Sequence, residues 1–403
     1  MNVSRQHVAV LGAGPTGLEA ALAAVDTGRP FTVYEAAPKV AANVRSWGHV
    51  GLFTPWDMNV SPRMARHLAA AGVDVPAGDR CPTGAELADR LLAPLAALPE
   101  VAPHVRLGAR VVAVGRQGLL KHEQIATPER GRRPFRLLVE TDAGEVVDHA
   151  DVVLDCTGSY GTPNPLGDGG IPAPGERSLD GAVCRRLPDL DAEAAQWAGC
   201  TVLLVGAGHS AQTAARSLAS LAARSPGTEV VWAVRDPAPA WGAVDDDPLP
   251  ERAALVAEAA RLARGDHPGV RVRTGVVVES LARREGRVAV TLRNGRGAEE
   301  VVADRVLALT GSVGDHGLYR QLQVHECYAT AAPMNLSAAL LGAAGGDCLA
   351  QVGHGPEVLR NPEPNFFLLG SKSYGRNSQF LLRIGWEQVS DVFGLLDQEP
   401  VPA

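Results

Sequence analysis

Residues 12–17 read Gly12-Ala13-Gly14-Pro15-Thr16-Gly17, between a buried apolar run (residues 7–14 read as a strand entering the turn) and an alanine-rich stretch, 15–27, with helical character. Few architectures fit that arrangement. Gly12 permits a tight turn, Gly14 lets the backbone approach a pyrophosphate, and Gly17 lets the helix pack closely on the strand. With Thr16 beside them, the helix N-terminus offers free N–H groups and partial positive charge for phosphate. The next strand, Phe31–Tyr34, ends in Glu35, where a carboxylate can accept from ribose hydroxyls. The spacing predicts one βαβ unit that binds a dinucleotide, and the acid, which would repel a 2′-phosphate, suits FAD or NAD.

The same punctuation returns later. The strand Thr201–Val205 leads into Gly206-Ala207-Gly208-His209-Ser210-Ala211, then a helix over Ser210–Ala223 and a strand over Glu229–Val234. Ala211 replaces the third glycine, a tolerated variant. His209 shapes the turn. This second strand is followed by Arg235, which can pair with a 2′-phosphate, so NADPH is favoured and NADH stays open. Two such units in one chain imply two nucleotides, and the simplest reason is hydride transfer from NAD(P)H to a bound flavin. The expected fold is α/β: two Rossmann-like dinucleotide-binding domains, the NAD(P)H domain inserted in the FAD domain. The predicted boundaries are 1–165 and 312–403 for FAD and 166–311 for NAD(P)H.

Between these landmarks, residues 40–63 lack a clear period and read as a long functional loop. Thr83 and Glu86 form a capping box that opens a helix over Thr83–Leu98. Residues 105–149 alternate in short strands, read as a small antiparallel layer, and 160–198 are Pro-, Gly- and Asp-rich, a crossing between domains. A strand over Phe366–Leu369 and an amphipathic helix over Phe380–Leu396 close the chain.

Composition bounds the rest. The 403 residues are 46% hydrophobic and 21% charged, with a net charge of −7. Without a Lys/Arg cluster, an acidic chain is a poor ligand for nucleic acid or an anionic membrane surface. No apolar run approaches a membrane span, and the N-terminus has no signal-peptide core, so the expected location is cytoplasmic. The six cysteines (Cys81, Cys156, Cys184, Cys200, Cys327, Cys348) form no C-x-x-C pair and read as reduced thiols. No metal site is expected; the run Asp245–Asp247 reads as a solvated turn.

Taken together, the chain resembles the two-dinucleotide-binding-domain flavoproteins: thioredoxin-reductase-like enzymes, flavin-containing monooxygenases and N-hydroxylases. In that superfamily each nucleotide domain ends in a strand and an A-T-G-like turn, matched here by Asp155-Cys156-Thr157-Gly158 and Ala308-Leu309-Thr310-Gly311. The stretch Thr157–Pro163 is similar to the monooxygenase linker. The resemblance implies that Arg45 neutralises the FAD pyrophosphate, that Trp47 covers the flavin ring, and that residues 53–59, with Thr54 and Asn59, line the flavin pocket. It also places Gly370 where the chain meets the ribityl group, with Ser371 in place of the usual Asp. A helix starting near Gln379 would aim its N-terminus at the flavin, and Lys372 and Arg376 would add positive charge or bind an anionic substrate. Lys372, Arg376 and Asn59 are thus the candidate catalytic residues. The implied activity is an FAD-dependent, NAD(P)H-consuming monooxygenase acting with O2, through a C4a-hydroperoxide, on a small molecule. The alternatives are a reductase or dehydrogenase passing electrons to a small organic acceptor, or a low-turnover flavin redox sensor. The missing C-x-x-C argues against dithiol–disulfide exchange, and the F-x-G-x-x-x-H monooxygenase fingerprint is absent.

Overall fold

The computed structural model describes residues 6–125, 127–342, 349 and 353–398; Cys348 lies outside them. The chain divides into two compact units, 1–162 with 313–403, and 163–312.

The first unit is built on a five-stranded parallel sheet. Val8–Leu11 is its centre, flanked by Phe31–Tyr34 on one side and Val152–Asp155 on the other. Val105–Arg106 extends one edge and Phe366–Leu368 the other. The central strands are apolar throughout, as strands covered on both faces must be. The helix Pro15–Thr27 packs on one face, starting with proline at its first turn and stopping at Gly28 in a left-handed cap. The C-terminal helix Leu382–Gln398 packs beside it in the same core. A three-stranded antiparallel layer, Arg110–Arg116, Phe135–Thr141 and Gly144–Ala150, covers the other face. The Thr83 capping box is present, but the helix behind it loosens into a π turn over Ala88–Leu92 before regaining α geometry at Ala93–Ala96. The stretch 40–63 is more ordered than a plain loop: it holds the short helix Ala42–Arg45 and a 3₁₀ turn at Trp56–Met58.

A buried ionic cluster fixes the returning C-terminal segment to the antiparallel layer. Glu363 accepts from Arg116 Nε at 2.7 Å and from Arg130 Nε at 2.9 Å, with all three side chains fully buried. The backbone N–H of Gln323 donates to the same carboxylate at 2.7 Å.

The second unit repeats the plan. Its parallel sheet runs Val270–Thr274, Glu229–Val234, Thr201–Val205, Arg305–Ala308 and Val183–Cys184. The helices His209–Arg224 and Pro250–Ala263 cover one face, and the antiparallel layer Val277–Arg284, Arg287–Asn294 and Gly297–Ala303 covers the other. The segment read as a crossing contributes the edge strand Val183–Cys184. Both units are thus Rossmann-like, and the second is inserted in the sequence of the first.

Two buried tyrosines of the first unit hold their protons tightly. Burial, reinforced by Asp148, pushes Tyr34 up to about 12; burial, reinforced by Glu387, does the same to Tyr374. Above about pH 10 the unfolded chain ionises these phenols while the fold does not, so the folded state binds more protons and stability falls as pH rises. Melting temperature is expected to drop between about pH 10 and 12, and Tyr34→Phe should flatten that drop in a pH series of melts.

Candidate nucleotide-binding sites

The first glycine turn opens onto a cavity of about 470 Å³ within the first unit. It lies past the carboxyl ends of the central parallel strands, where open α/β sheets bind ligands. Three glycines shape the turn, each for a different steric reason. Gly12 has φ +98°, and a Cβ there would sit 2.8 Å from the Cys156 carbonyl oxygen. On Gly17 a Cβ would lie 1.9 Å from the Gly12 oxygen, so only glycine lets the helix lie this close. Gly14, the helix N-cap, faces open space, and no side chain caps the helix there. The first-turn N–H groups are therefore available to an anion.

Glu35 sits at the cavity wall, held from both sides. Its Oε2 accepts from the Ala13 N–H and its Oε1 from the Ala37 N–H, each at 2.9 Å. That fixes the carboxylate and leaves each oxygen a second lone pair. Thr16, Trp47, Thr157, Gly158 and Gly370 also line it. Thr16 is packed into a notch between two backbones: a Cβ on Gly370 or Gly385 would meet its Oγ1 at 2.8 or 2.9 Å. The Trp47 ring stacks with Tyr160 at 6.3 Å, and its indole N–H is buried with no protein acceptor.

Several residues named from the sequence stand elsewhere. Arg45 turns from the cavity to Asp89, 2.5 Å away, and to the Val40 carbonyl. Asn59 is buried and spends its amide on Thr54 and Pro55 carbonyls while accepting from the Thr54 hydroxyl, so both residues brace their own loop instead of lining the pocket. The C-terminal helix begins at Leu382; Gln379 precedes it, with its N–H on Asn377, while Phe380 and Leu382 reach the wall. Arg376 is exposed on the turn beyond. Lys372 is wholly buried, its Nζ 2.5 Å from Asp155, because the turn Gly370–Tyr374 folds inward under the sheet. Neither surface charge nor substrate contact describes it.

The wall also holds residues that sequence inspection passed over: Tyr34, Ala41, Arg110, Val111, Tyr160 and Asp315. Ala41 adopts φ +59°, an uncommon left-handed alanine, and its N–H bonds the Ala13 carbonyl. Such strain at a cavity wall is typical of ligand sites. Arg110 is exposed at the start of the antiparallel layer, and only the chain reversal after residue 106 carries it beside Glu35. Cys156 also faces the cavity, but burial pushes its thiol well above the ordinary range, which keeps it an unreactive SH.

The second unit builds a matching turn. Gly206 has φ +131°, and a Cβ there would sit 2.2 Å from the Leu309 oxygen. The Trp232 indole donates to the Gly206 carbonyl at 2.7 Å, and Gln212 ties Ala207 to Trp241. Gly208 is the N-cap of the helix that starts at His209, again with no side-chain cap. Ser210 is exposed and Ala211 buried, the small side chain that close packing demands. Arg235 is exposed just past its strand. Thr310 and Gly311 close the strand end against Asn164 through reciprocal hydrogen bonds. The Asp245–Asp247 run is not wholly solvated: Asp247 is buried against Arg252, with contacts of 2.7 and 2.8 Å, because the following helix brings that arginine back over it. Among the described residues no group of three or more His, Cys, Asp or Glu side chains could hold a metal, and no helix is long and apolar enough to cross a membrane.

No protein-family model and no curated protein matches the chain. Solved structures do. The bacillithiol disulfide reductase of Bacillus cereus is similar over 98% of this chain and 100% of its own, at TM-score 0.69 and 18% identity. The ornithine N-hydroxylase of Kutzneria sp. 744 matches over 98% and 99%, at TM-score 0.63 and 14% identity. A flavin monooxygenase from Stenotrophomonas maltophilia matches over 98% and 99%, at TM-score 0.59 and 19% identity. The chain has the fold these proteins share.

Proposed function

We propose that the protein is an FAD-dependent oxidoreductase that draws electrons from NADPH and acts as a monooxygenase on a small molecule. The observation that carries this reading is the cavity at the first glycine turn: an uncapped helix N-terminus, a pinned carboxylate and the Trp47 side chain line one space. Those groups fit FAD. Gly14 and the helix N-terminus would take the pyrophosphate, Glu35 would accept from ribose hydroxyls, and the Trp47 ring would pack against the cofactor. Bound there, FAD supplies two-electron exchange between a nicotinamide donor and an acceptor. The aromatic side chains of Trp47, Tyr160 and Phe380 would shield it from water.

The second turn supports the electron donor. His209 and Ser210 at the helix start would meet its pyrophosphate, and Arg235 would pair with a 2′-phosphate. Arg235→Ala is expected to raise the KM for NADPH about 10–100-fold, the worth of about 1.5–3 kcal/mol for a charge-assisted contact, and to leave that for NADH unchanged in steady-state assays. A loss shared equally by both coenzymes would mean that Arg235 does not read the 2′-phosphate.

Oxygen as acceptor is supported by the cysteines. Among the described residues Cys156 is the one cysteine that lines the cavity, so no dithiol stands there to relay electrons. A second reading, a reductase serving a small organic acceptor without oxygenation, is favoured by the likeness to the Bacillus cereus reductase. Anaerobic reduction with NADPH followed by mixing with labelled dioxygen tests both. Label in a product supports the monooxygenase; electron transfer to an organic acceptor with no label incorporated supports the reductase; failure of NADPH to bleach the flavin would sink the electron-donor assignment.

A further inference from the structure

Val152–Asp155 is buried at every position, yet it ends in a carboxylate with no exposure at all. Lys372 answers it. Its Nζ donates to Asp155 Oδ2 at 2.5 Å and to the Thr157 hydroxyl at 3.1 Å, and it lies 5.1 Å from the Tyr319 ring. The Thr157 hydroxyl in turn donates to Asp155 Oδ1 at 2.6 Å, and the Thr157 N–H reaches the same oxygen at 3.1 Å. The stem of Lys372 is clamped: a Cβ on Gly314 would lie 2.4 Å from its Cγ. Lys372 itself does not line the cavity, whereas Thr157 does.

This geometry has a chemical consequence. A hydroxyl carries one proton and two lone pairs. The Thr157 proton is committed to Asp155 and one lone pair to Lys372, so only an acceptor lone pair remains for the cavity. Low surrounding dielectric strengthens both commitments. Building on the FAD reading, we propose that Lys372 and Asp155 are positioning residues that lock the Thr157 hydroxyl as a hydrogen-bond acceptor for an N–H of the bound flavin.

The test is FAD titration of the full-length apoprotein, with apoprotein melts alongside, for wild type, Thr157→Val, Thr157→Ser, Lys372→Met, Thr157→Val/Lys372→Met and Asp155→Leu/Lys372→Met. Thr157→Val and Lys372→Met are each expected to weaken FAD binding at least ten-fold, with the double variant no weaker than Lys372→Met alone. Thr157→Ser, which keeps the hydroxyl, should bind like wild type. Asp155→Leu/Lys372→Met removes both buried charges, so its melting temperature should recover while its FAD affinity stays ten-fold down. A purely structural pair predicts the opposite, affinity returning with stability; that result, or additive losses for Thr157→Val and Lys372→Met, overturns the proposal while the FAD reading stands. Wild type that fails to bind FAD overturns the functional reading and this proposal with it.

Discussion

Gly17→Ala is expected to give a colourless protein. The new methyl would stand 1.9 Å from the Gly12 carbonyl oxygen and 3.0 Å from its carbon. No rotamer relieves a clash between a Cβ and backbone, so the helix Pro15–Thr27 must lift from its strand. Overpacking of this kind costs about 1–3 kcal/mol or more, and it also displaces the N–H groups aimed at the pyrophosphate. FAD affinity should fall at least about 100-fold, since 1.4 kcal/mol is a factor of ten and the packing and phosphate losses combine. The check is the ratio of visible flavin absorbance to protein absorbance after purification, with a melt of the apoprotein. Gly14→Ala provides the contrast. Its methyl would enter open space lining the cavity, so apoprotein stability should hold while FAD affinity drops. If Gly17→Ala purified fully yellow, the assignment of this turn to FAD would fail.

Gly206→Ala should separate the two nucleotides. Here the added Cβ would meet the Leu309 oxygen at 2.2 Å, at a φ of +131° that alanine rarely adopts. The two units have separate hydrophobic cores, so damage to the second turn should leave bound flavin in place. The expected protein is yellow and bleaches with dithionite, but its reduction by NADPH slows at least about 100-fold, from steric and backbone costs of several kcal/mol at the coenzyme turn. Stopped-flow absorbance under anaerobic conditions reads this directly. Unimpaired reduction by NADPH would show that electrons enter by another route.

Much of this architecture was legible in the sequence because it is local. A glycine turn needs residues at fixed offsets between a strand and a helix, and Glu35 follows within the same βαβ unit. Thr83 and Glu86 announced a helix start for the same reason. What stayed hidden depends on distant segments meeting. Arg110 and Val111 reach the cavity through a chain reversal that no short motif marks. Lys372, a residue type usually found in water, is buried because Asp155 waits more than 200 positions away in sequence. Asn59 looked chemically available, yet its amide is consumed by carbonyls four and five residues back. Arg45 is drawn to Asp89, on a helix that its own neighbourhood in sequence does not contain.

The strand Phe366–Leu368 has a consequence for biosynthesis. It completes the first unit's sheet by pairing with Val152–Asp155, but it is made only after the whole of 163–312. A nascent chain therefore carries the open edge of Val152–Asp155, with its apolar residues uncovered, while the second unit is being translated and can already fold as a continuous segment. Unpaired apolar edges are where intermediates stick to one another. That edge closes only once residues 363–368 have been made, so a segment synthesised after the whole second unit, anchored through Glu363, completes the sheet of the first.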